Sequence, residues 1–202
     1  MGIPTGIQNS LISISNVVVQ SNINTFGSLA MAGIGTYTKI EGFAFLPITS
    51  FMMALTTFVS QNRGAREFDR ARKGARFGLT CSVSLAEIIG LLIVLFAAPL
   101  MRLFANDPQV IQYGVERAHY ATILFFLLAY SHGVSAVLRG VGKSIIPMVV
   151  MLVCWCFVRV TLLTALNMMF HNIVFVYMIY PFTWSLSSVV FFLYYRKINW
   201  QE

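Results

Sequence analysis

Charge-free stretches long enough to cross a membrane recur along the chain. The first charged residue is Lys39, and none occurs in residues 118–138 or 160–195. A membrane-spanning helix requires about 20 predominantly apolar residues. The hydrophobic pattern therefore predicts six transmembrane helices with short connections, at about residues 3–25, 34–60, 77–98, 117–138, 145–169 and 172–195.

The first predicted helix carries no charge, yet it is rich in amide and hydroxyl side chains. Its polar residues recur every three or four positions and form one stripe, whereas Ile7, Leu11, Ile14 and Val18 occupy the opposite face. Amides in hydrocarbon need partners, so the stripe must face other helices or water. We interpret it as the wall of a water-accessible cavity, with hydrogen-bonded helix packing as the alternative. The stripe consists of Thr5, Asn9, Ser13, Asn16, Gln20 and Asn24.

The composition agrees with a membrane location. Of the 202 residues, 57% are hydrophobic and only 10% are charged, and the mean hydropathy is +0.75. A soluble domain carries roughly 25% charged residues because its surface faces water. The pattern also lacks the short alternating strands of a membrane barrel. We therefore predict an all-α integral membrane protein in which residues 1–202 form a single six-helix lobe.

The net charge of +7 is explained by where the basic residues lie. Six of them fall within residues 63–76, Arg139 and Lys143 lie between the fourth and fifth predicted helices, and two more follow the sixth. The opposite connections are neutral or balanced. Because basic residues favour the cytoplasmic side of a membrane, the pattern predicts that both termini are cytoplasmic. It also accounts for the charge without a nucleic-acid partner.

Three ionisable residues fall inside predicted helices, where each costs on the order of 3 kcal/mol. Glu87 and Arg159 are predicted at similar depths, and we expect either that they form an ion pair that fixes helix positions or that each finds polar neighbours. Glu41 lies nearer the outer side and is the better candidate to contact a cation or a proton. Pro47 interrupts the same helix, which indicates either a functional kink or a static bend.

The sequence provides no recognisable catalytic or metal-binding arrangement. His119 and His132 lie close to one helical face and can relay protons, but no acid or nucleophile accompanies them. GVGKS at 140–144 lacks the glycine that a phosphate-binding loop requires at Val137. The cysteines read as small buried hydrophobes. We expect neither an enzyme nor a bound metal or cofactor. The cysteines are Cys81, Cys154 and Cys156.

Four segments together resemble the second six-helix lobe of a multidrug and toxic compound extrusion (MATE) transporter. The most specific are SQNRGARE at 60–67 and LRGVGK at 138–143, which stand in order at predicted cytoplasmic helix ends. The other two are IPTGIQNSLISISN at 3–16 and WCFVRV at 155–160. The resemblance extends over essentially the whole chain.

The resemblance implies secondary active transport, with export of organic cations and other amphipathic small molecules in exchange for sodium ions or protons. The coupling ion would be transported, not held as a cofactor. Two lobes would form a central cavity, lined by the first helix of each, and alternate access across a plasma membrane, as in the bacterial inner membrane. The predicted cavity residues are Asn9, Ser13, Asn16, Gln20 and Glu41.

Two departures from the family pattern bear on ion coupling. Some members carry an acid in the first helix of this lobe, where this chain has the uncharged residues 11–13. Some carry an aspartate about ten residues before the LRG motif, where this chain has Leu128. We therefore expect no sodium site of that type here, and proton coupling through the other lobe is the expectation.

One lobe is half of such a transporter, so we expect a fragment whose partner is a missing N-terminal lobe. The alternative is a half-size protein whose two copies are related by a twofold axis along the membrane normal. A lipid-linked oligosaccharide flippase of the same wider superfamily is a further alternative, disfavoured because only Arg159 is predicted deep in a helix. A structural membrane subunit remains the non-transport alternative, although it would not need a wet polar stripe.

Overall fold

The computed structural model describes residues 2–200, with side chains from residue 6 onward, and every regular element in that range is helical. The side chain of Thr5 therefore lies outside the described residues. A π-helical segment, Leu152–Val158, joins α7 to α8 without interruption. The helices are α1 Gly2–Asn24, α2 Ser28–Gly64, α3 Phe68–Leu95, α4 Ala97–Arg102, α5 Pro108–Thr122, α6 Phe125–Gly140, α7 Ile145–Met151, α8 Arg159–Phe170 and α9 Ile173–Arg196.

Four helical units in the described range are long and apolar enough to cross a membrane. They are α2, α3, α9 and the continuous unit Ile145–Phe170, and the bent pair of α5 and α6 makes a fifth if it counts as one span. Helix α1 has 23 residues, which is long enough to span, but its amides and hydroxyls lower its apolarity. A sixth span and the cytoplasmic placement of the termini remain predictions.

Helices α2 and α3 extend beyond the predicted spans 34–60 and 77–98 at the ends where the basic residues are concentrated. Helix α2 continues to Gly64, and α3 begins at Phe68. The turn between them is therefore short, and it includes Arg66 in the left-handed region with φ 61°. Most of the basic residues that we placed in a loop consequently lie on helices that extend beyond the apolar stretch.

The fourth predicted segment, 117–138, is not one straight helix. Helices α5 and α6 meet there at an angle of 56°. Helix α5 begins well before that segment, at Pro108, where Asp107 accepts hydrogen bonds from the next backbone amides. The bend lies against α3, because a Cβ atom at Gly90 would be only 2.6 Å from the carbonyl oxygen of Thr122.

Helix α2 is the centre of the packing and contacts α3, α5 and α6. Its buried face includes Tyr37, Ile48, Leu55 and Val59. Helix α9 packs against α6, α8 and the π-helical segment. The main core joins these contacts, with Phe125 and Trp184 stacked at a centroid distance of 5.9 Å. Because α2 and α9 both contribute to this buried core, their positions are fixed relative to each other. Both helices carry site residues.

Helix α1 is attached to the rest of the chain along one side, mainly through the π-helical segment and α8. Ser15 on that side donates a hydrogen bond of 3.1 Å to the carbonyl oxygen of Trp155. Val19 and Ile23 are buried beside it. The apolar face that we predicted opposite the stripe is largely exposed, with Ile14 60% exposed, as expected for a surface that contacts lipid.

Candidate functional site

A cavity of about 440 Å³ lies between α1, α2, α6, the π-helical segment and α9. Its polar wall includes Asn9 and Asn16 from α1, Glu41 from α2 and Arg139 from α6. Aromatic rings supply much of the remainder. A concave apolar site with a few convergent polar groups is the usual form of a small-molecule site. The aromatic lining residues are Phe45, Trp155, Tyr180 and Trp184.

Three of the five predicted cavity residues, Asn9, Asn16 and Glu41, line this cavity. The other two, Ser13 and Gln20, are exposed on the same helix outside it. Ser13 donates to the carbonyl oxygen of Asn9 at 2.9 Å, and the Gln20 amide donates to Asn24 Oδ1 at 3.0 Å. The stripe is therefore wider than the cavity, and its outer part is an exposed polar strip.

Gln8 is a cavity residue that the stripe did not include. It lies beside Asn9, is only 4% exposed and lines the cavity. Its side-chain nitrogen is 2.7 Å from the sulfur of Met151, so it has one weak partner. Its burial depends on how α7 packs against α1. The periodicity of α1 alone does not reveal that packing.

Arg159 is buried at the cavity wall, where Thr183 and two aromatic rings hold it. Its Nη2 and Nε atoms donate to Thr183 Oγ1 at 2.9 and 3.3 Å. Its guanidinium carbon lies 4.5 Å from the centroid of Tyr180 and 5.5 Å from that of Trp155. Contacts of this kind stabilise a cation in a site with little water.

A second buried arginine, Arg117 of α5, lies behind the cavity wall. Its guanidinium is 4.0 Å from the centroid of Tyr180 and 5.4 Å from that of Tyr37, and its Nη1 donates to the carbonyl oxygen of Val176 at 3.2 Å. Tyr180 therefore contacts both guanidinium groups. Glu41 lines the cavity and interacts electrostatically with both Arg117 and Arg159.

The expected ion pair between Glu87 and Arg159 is not formed. Glu87 Oε2 accepts a hydrogen bond of 3.1 Å from the backbone amide of Phe126. Phe126 lies in the first turn of α6, where backbone amides have no partner within the helix. The bend between α5 and α6 creates that free donor, and the acid on α3 satisfies it. Arg159 donates to Thr183 instead, so each residue has a polar neighbour of its own.

His132 and His119 do not form a common site, because the bend separates their helices. The ring of His132 lines the cavity between Phe45 and Trp155, at centroid distances of 5.0 and 5.1 Å. Both of its ring nitrogens are buried without a hydrogen-bond partner among the described residues. His119 is exposed on α5, with Nδ1 2.7 Å from the carbonyl oxygen of Val115.

Arg139 and Arg117 are site residues that sequence reasoning assigned to connections. Arg139 donates to Ser135 Oγ at 2.8 Å and lies 3.7 Å from the sulfur of Met52. The only sequence signal for it was the LRGVGK motif. In the sequence, Arg117 follows Glu116 in a segment whose charges balance. Only its 1% exposure in the structure identifies it as an interior residue.

The comparisons with known proteins agree with this architecture. The family model MatE matches residues 4–165. The probable multidrug resistance protein YoeA of Bacillus subtilis is 26% identical over 204 residues, which cover 100% of this chain and 44% of that protein. The probable multidrug resistance protein NorM of Thermotoga maritima is 28% identical over 150 residues, 74% of this chain and 32% of that protein.

The structural comparison gives the same fold. The crystal structure of MATE in complex with MaD3S superposes with a TM-score of 0.90 at 16% identity, covering 98% of this chain and 45% of that chain. The chain belongs to the MatE family, which confirms the resemblance of its motifs, and it is an integral membrane protein. It spans about half the length of the curated relatives that it matches.

Proposed function

We propose that this chain forms one lobe of a multidrug efflux transporter of the plasma membrane that exports amphipathic small molecules by alternating access. The observation that carries the proposal is the aromatic cavity of about 440 Å³ with Asn9, Asn16 and Glu41 in its wall. Similarity to the probable multidrug resistance proteins of B. subtilis and T. maritima supports it. Family membership further supports a transporter and not an enzyme.

The exposed part of the polar stripe is assigned to the interface with a second lobe. Ser13 and Gln20 are solvent-accessible in this chain, and exposed amides and hydroxyls do not suit a lipid-facing surface. A second lobe opposite α1 would enlarge the cavity and bring this strip inside it. That lobe is an N-terminal lobe of the same protein or a second copy of this chain.

Export against a gradient requires an energy source, and inward movement of a proton or sodium ion is the proposed one. In this lobe, the positive charges of Arg117 and Arg159 act on Glu41. Because these charges repel a further cation, Glu41 is poorly suited to hold one. The coupling group is therefore assigned to the opposite lobe, in keeping with the uncharged residues 11–13.

The charge of the cavity wall favours a second candidate function, transport of an amphipathic anion such as a lipid-linked oligosaccharide. Arg139 and Arg159 line the cavity and Arg117 lies behind it, whereas Glu41 is the acid among the lining residues. Only Arg159 was predicted deep in a helix, whereas Arg117 is also buried and Arg139 also lines the cavity. A transport assay with both cationic and anionic substrates separates the two candidates.

Efflux of a fluorescent organic cation tests the proposed function. Cells that lack their own pumps and express the complete encoded protein are loaded with ethidium, and its release is followed. Asn16→Leu combined with Gln20→Leu should reduce the efflux rate by about tenfold, since each amide offers a hydrogen bond that leucine cannot replace. The amount of protein in the membrane should stay unchanged.

Ile14→Leu combined with Val17→Leu is the matched control on the exposed apolar side of α1, where the two residues are 60% and 70% exposed. This control should transport normally. Normal efflux in the amide variant would refute the cavity role. Absence of efflux of both ethidium and an anionic dye by the unmodified protein would refute the transporter proposal. Solvent accessibility of cysteines placed at Asn9 and Asn16 separates a transporter from a structural subunit.

A further inference from the structure

A second cavity of about 440 Å³ lies at the basic end of the helices and shares no lining residue with the first. It is formed by the first turns of α3, the last turn of α9 and the residues that follow α9. We call it the basic bay and define it by Asp69, Arg72, Arg76, Tyr195, Arg196 and Trp200. The residues after α9 turn back toward α3, and Ile198 anchors them in the main core.

The basic bay has an excess of positive charge. It contains three arginines, Arg72, Arg76 and Arg196, and one acid, Asp69. All three arginines are exposed, so their charges can meet a ligand from outside. Arg72 and Arg76 act electrostatically on the Tyr195 hydroxyl, and Arg76 also lies within hydrogen-bonding reach of it. This arrangement favours an anion with several acceptor oxygens.

The bay lies where a membrane surface would be. Helices α3 and α9 both qualify as membrane spans, and the bay is at their ends, on the side with the concentration of arginine and lysine. Tyr195 and Trp200 pack edge to face there, with centroids 6.3 Å apart. Tyrosine and tryptophan are enriched at the level of lipid headgroups.

Exposed apolar side chains on the same two helices supply a surface for acyl chains. Phe77, next to Arg76 on α3, is 74% exposed. On α9, Phe192 and Val189 are 49% and 60% exposed. Free phosphate would use the arginines alone, whereas a phospholipid would use both the arginines and these side chains.

We propose that the basic bay binds the headgroup phosphate of an anionic phospholipid, with the acyl chains alongside α3 and α9. Basic pockets between transmembrane helices on the cytoplasmic side are suited to such headgroups. A lipid bound there would join the start of α3 to the end of α9. The transport proposal does not require this site, so each proposal can be refuted without affecting the other.

Tryptophan fluorescence provides a direct test. The complete protein, purified in detergent, is titrated with phosphatidylglycerol whose acyl chains carry bromine as a quencher. Of the three tryptophans in this chain, Trp155 and Trp184 are only 6% and 2% exposed, so Trp200 should give most of the quenching that this chain contributes. Half-quenching should occur at a concentration at least about tenfold lower for phosphatidylglycerol than for brominated phosphatidylcholine. Trp200→Phe should remove most of the quenching.

Paired charge removals on one helix separate the bay from diffuse surface charge. Arg72→Gln combined with Arg76→Gln should weaken phosphatidylglycerol binding by about tenfold or more. Arg70→Gln combined with Lys73→Gln removes the same charge from the same turns of α3, outside the bay, and should change it by less than about twofold. Arg196→Gln, from α9, should weaken binding several-fold and keeps the test valid if the first variant does not fold.

Four results would overturn the inference. Equal weakening in both double variants would indicate general surface attraction. Equal quenching by the phosphatidylcholine would remove headgroup recognition, and undiminished quenching in Trp200→Phe would place the lipid elsewhere. Relief of quenching by inorganic phosphate as readily as by unbrominated phosphatidylglycerol would identify a phosphate site and not a lipid site.

Discussion

Gly33 of α2 approaches α5 so closely that even a methyl group does not fit. A Cβ atom at this position would lie 2.6 Å from both Tyr113 Cβ and the carbonyl oxygen of Val110, whereas ordinary contact begins at 3.4 Å. Gly33→Ala must therefore move α2 and α5 apart by roughly 0.8 Å, at a cost of about 2–3 kcal/mol for overpacking. Neither a backbone oxygen nor a Cβ atom can rotate away.

The displacement also bears on the site, because α2 and α5 carry an interacting pair of charges. Glu41 lies two turns beyond Gly33 on α2, and Arg117 lies one turn beyond Tyr113 on α5. Separating the helices lengthens the distance between the two charges in a medium of low dielectric constant, which weakens their attraction. Gly33→Ala should therefore lower transport as well as stability.

Thermal unfolding in detergent measures the first effect, and the efflux assay measures the second. The midpoint should fall by roughly 4–12 °C in Gly33→Ala. Gly35→Ala is the matched control on the same helix, because a Cβ atom there would meet nothing within 4 Å. Alanine is the better helix former by about 1 kcal/mol, so this control should unfold at the same or a higher temperature. Equal midpoints for the two variants would refute the packing argument.

Two further substitutions test the cavity wall by the same unfolding measurement. His132→Phe should keep or raise stability, since it retains the ring between Phe45 and Trp155. It also removes two buried nitrogens that have no hydrogen-bond partner among the described residues, each costing about 1–3 kcal/mol. A lower midpoint would show that the nitrogens have partners. Arg159→Met should destabilise the protein by about 3 kcal/mol, because it removes both hydrogen bonds to Thr183 and leaves the acid Glu41 with one nearby cation fewer. A loss of stability under about 1 kcal/mol would contradict the role of these charges.

The sequence determined the class of protein, because length and apolarity are properties of each segment alone. Residues 160–195 contain no charge, and they form the end of α8 and nearly all of α9. The stripe on α1 was likewise visible as a helical period. Asn9 and Asn16 are seven positions apart and so nearly share one direction, and both line the cavity. Ser13 and Gln20 are turned about 40° from the preceding cavity residue.

The tertiary structure decided which polar residues meet, since partners depend on how helices cross and where they bend. The 56° bend between α5 and α6 frees the amide that Glu87 satisfies, and it separates His119 from His132. From the sequence alone, Arg117 could not be distinguished from a charged loop residue. In the structure, helix packing buries it against Tyr180. Hydrophobic periodicity gives the direction of a side chain about its own helix axis. It does not encode the neighbouring helix, and the charge cluster at the cavity depends on that neighbour.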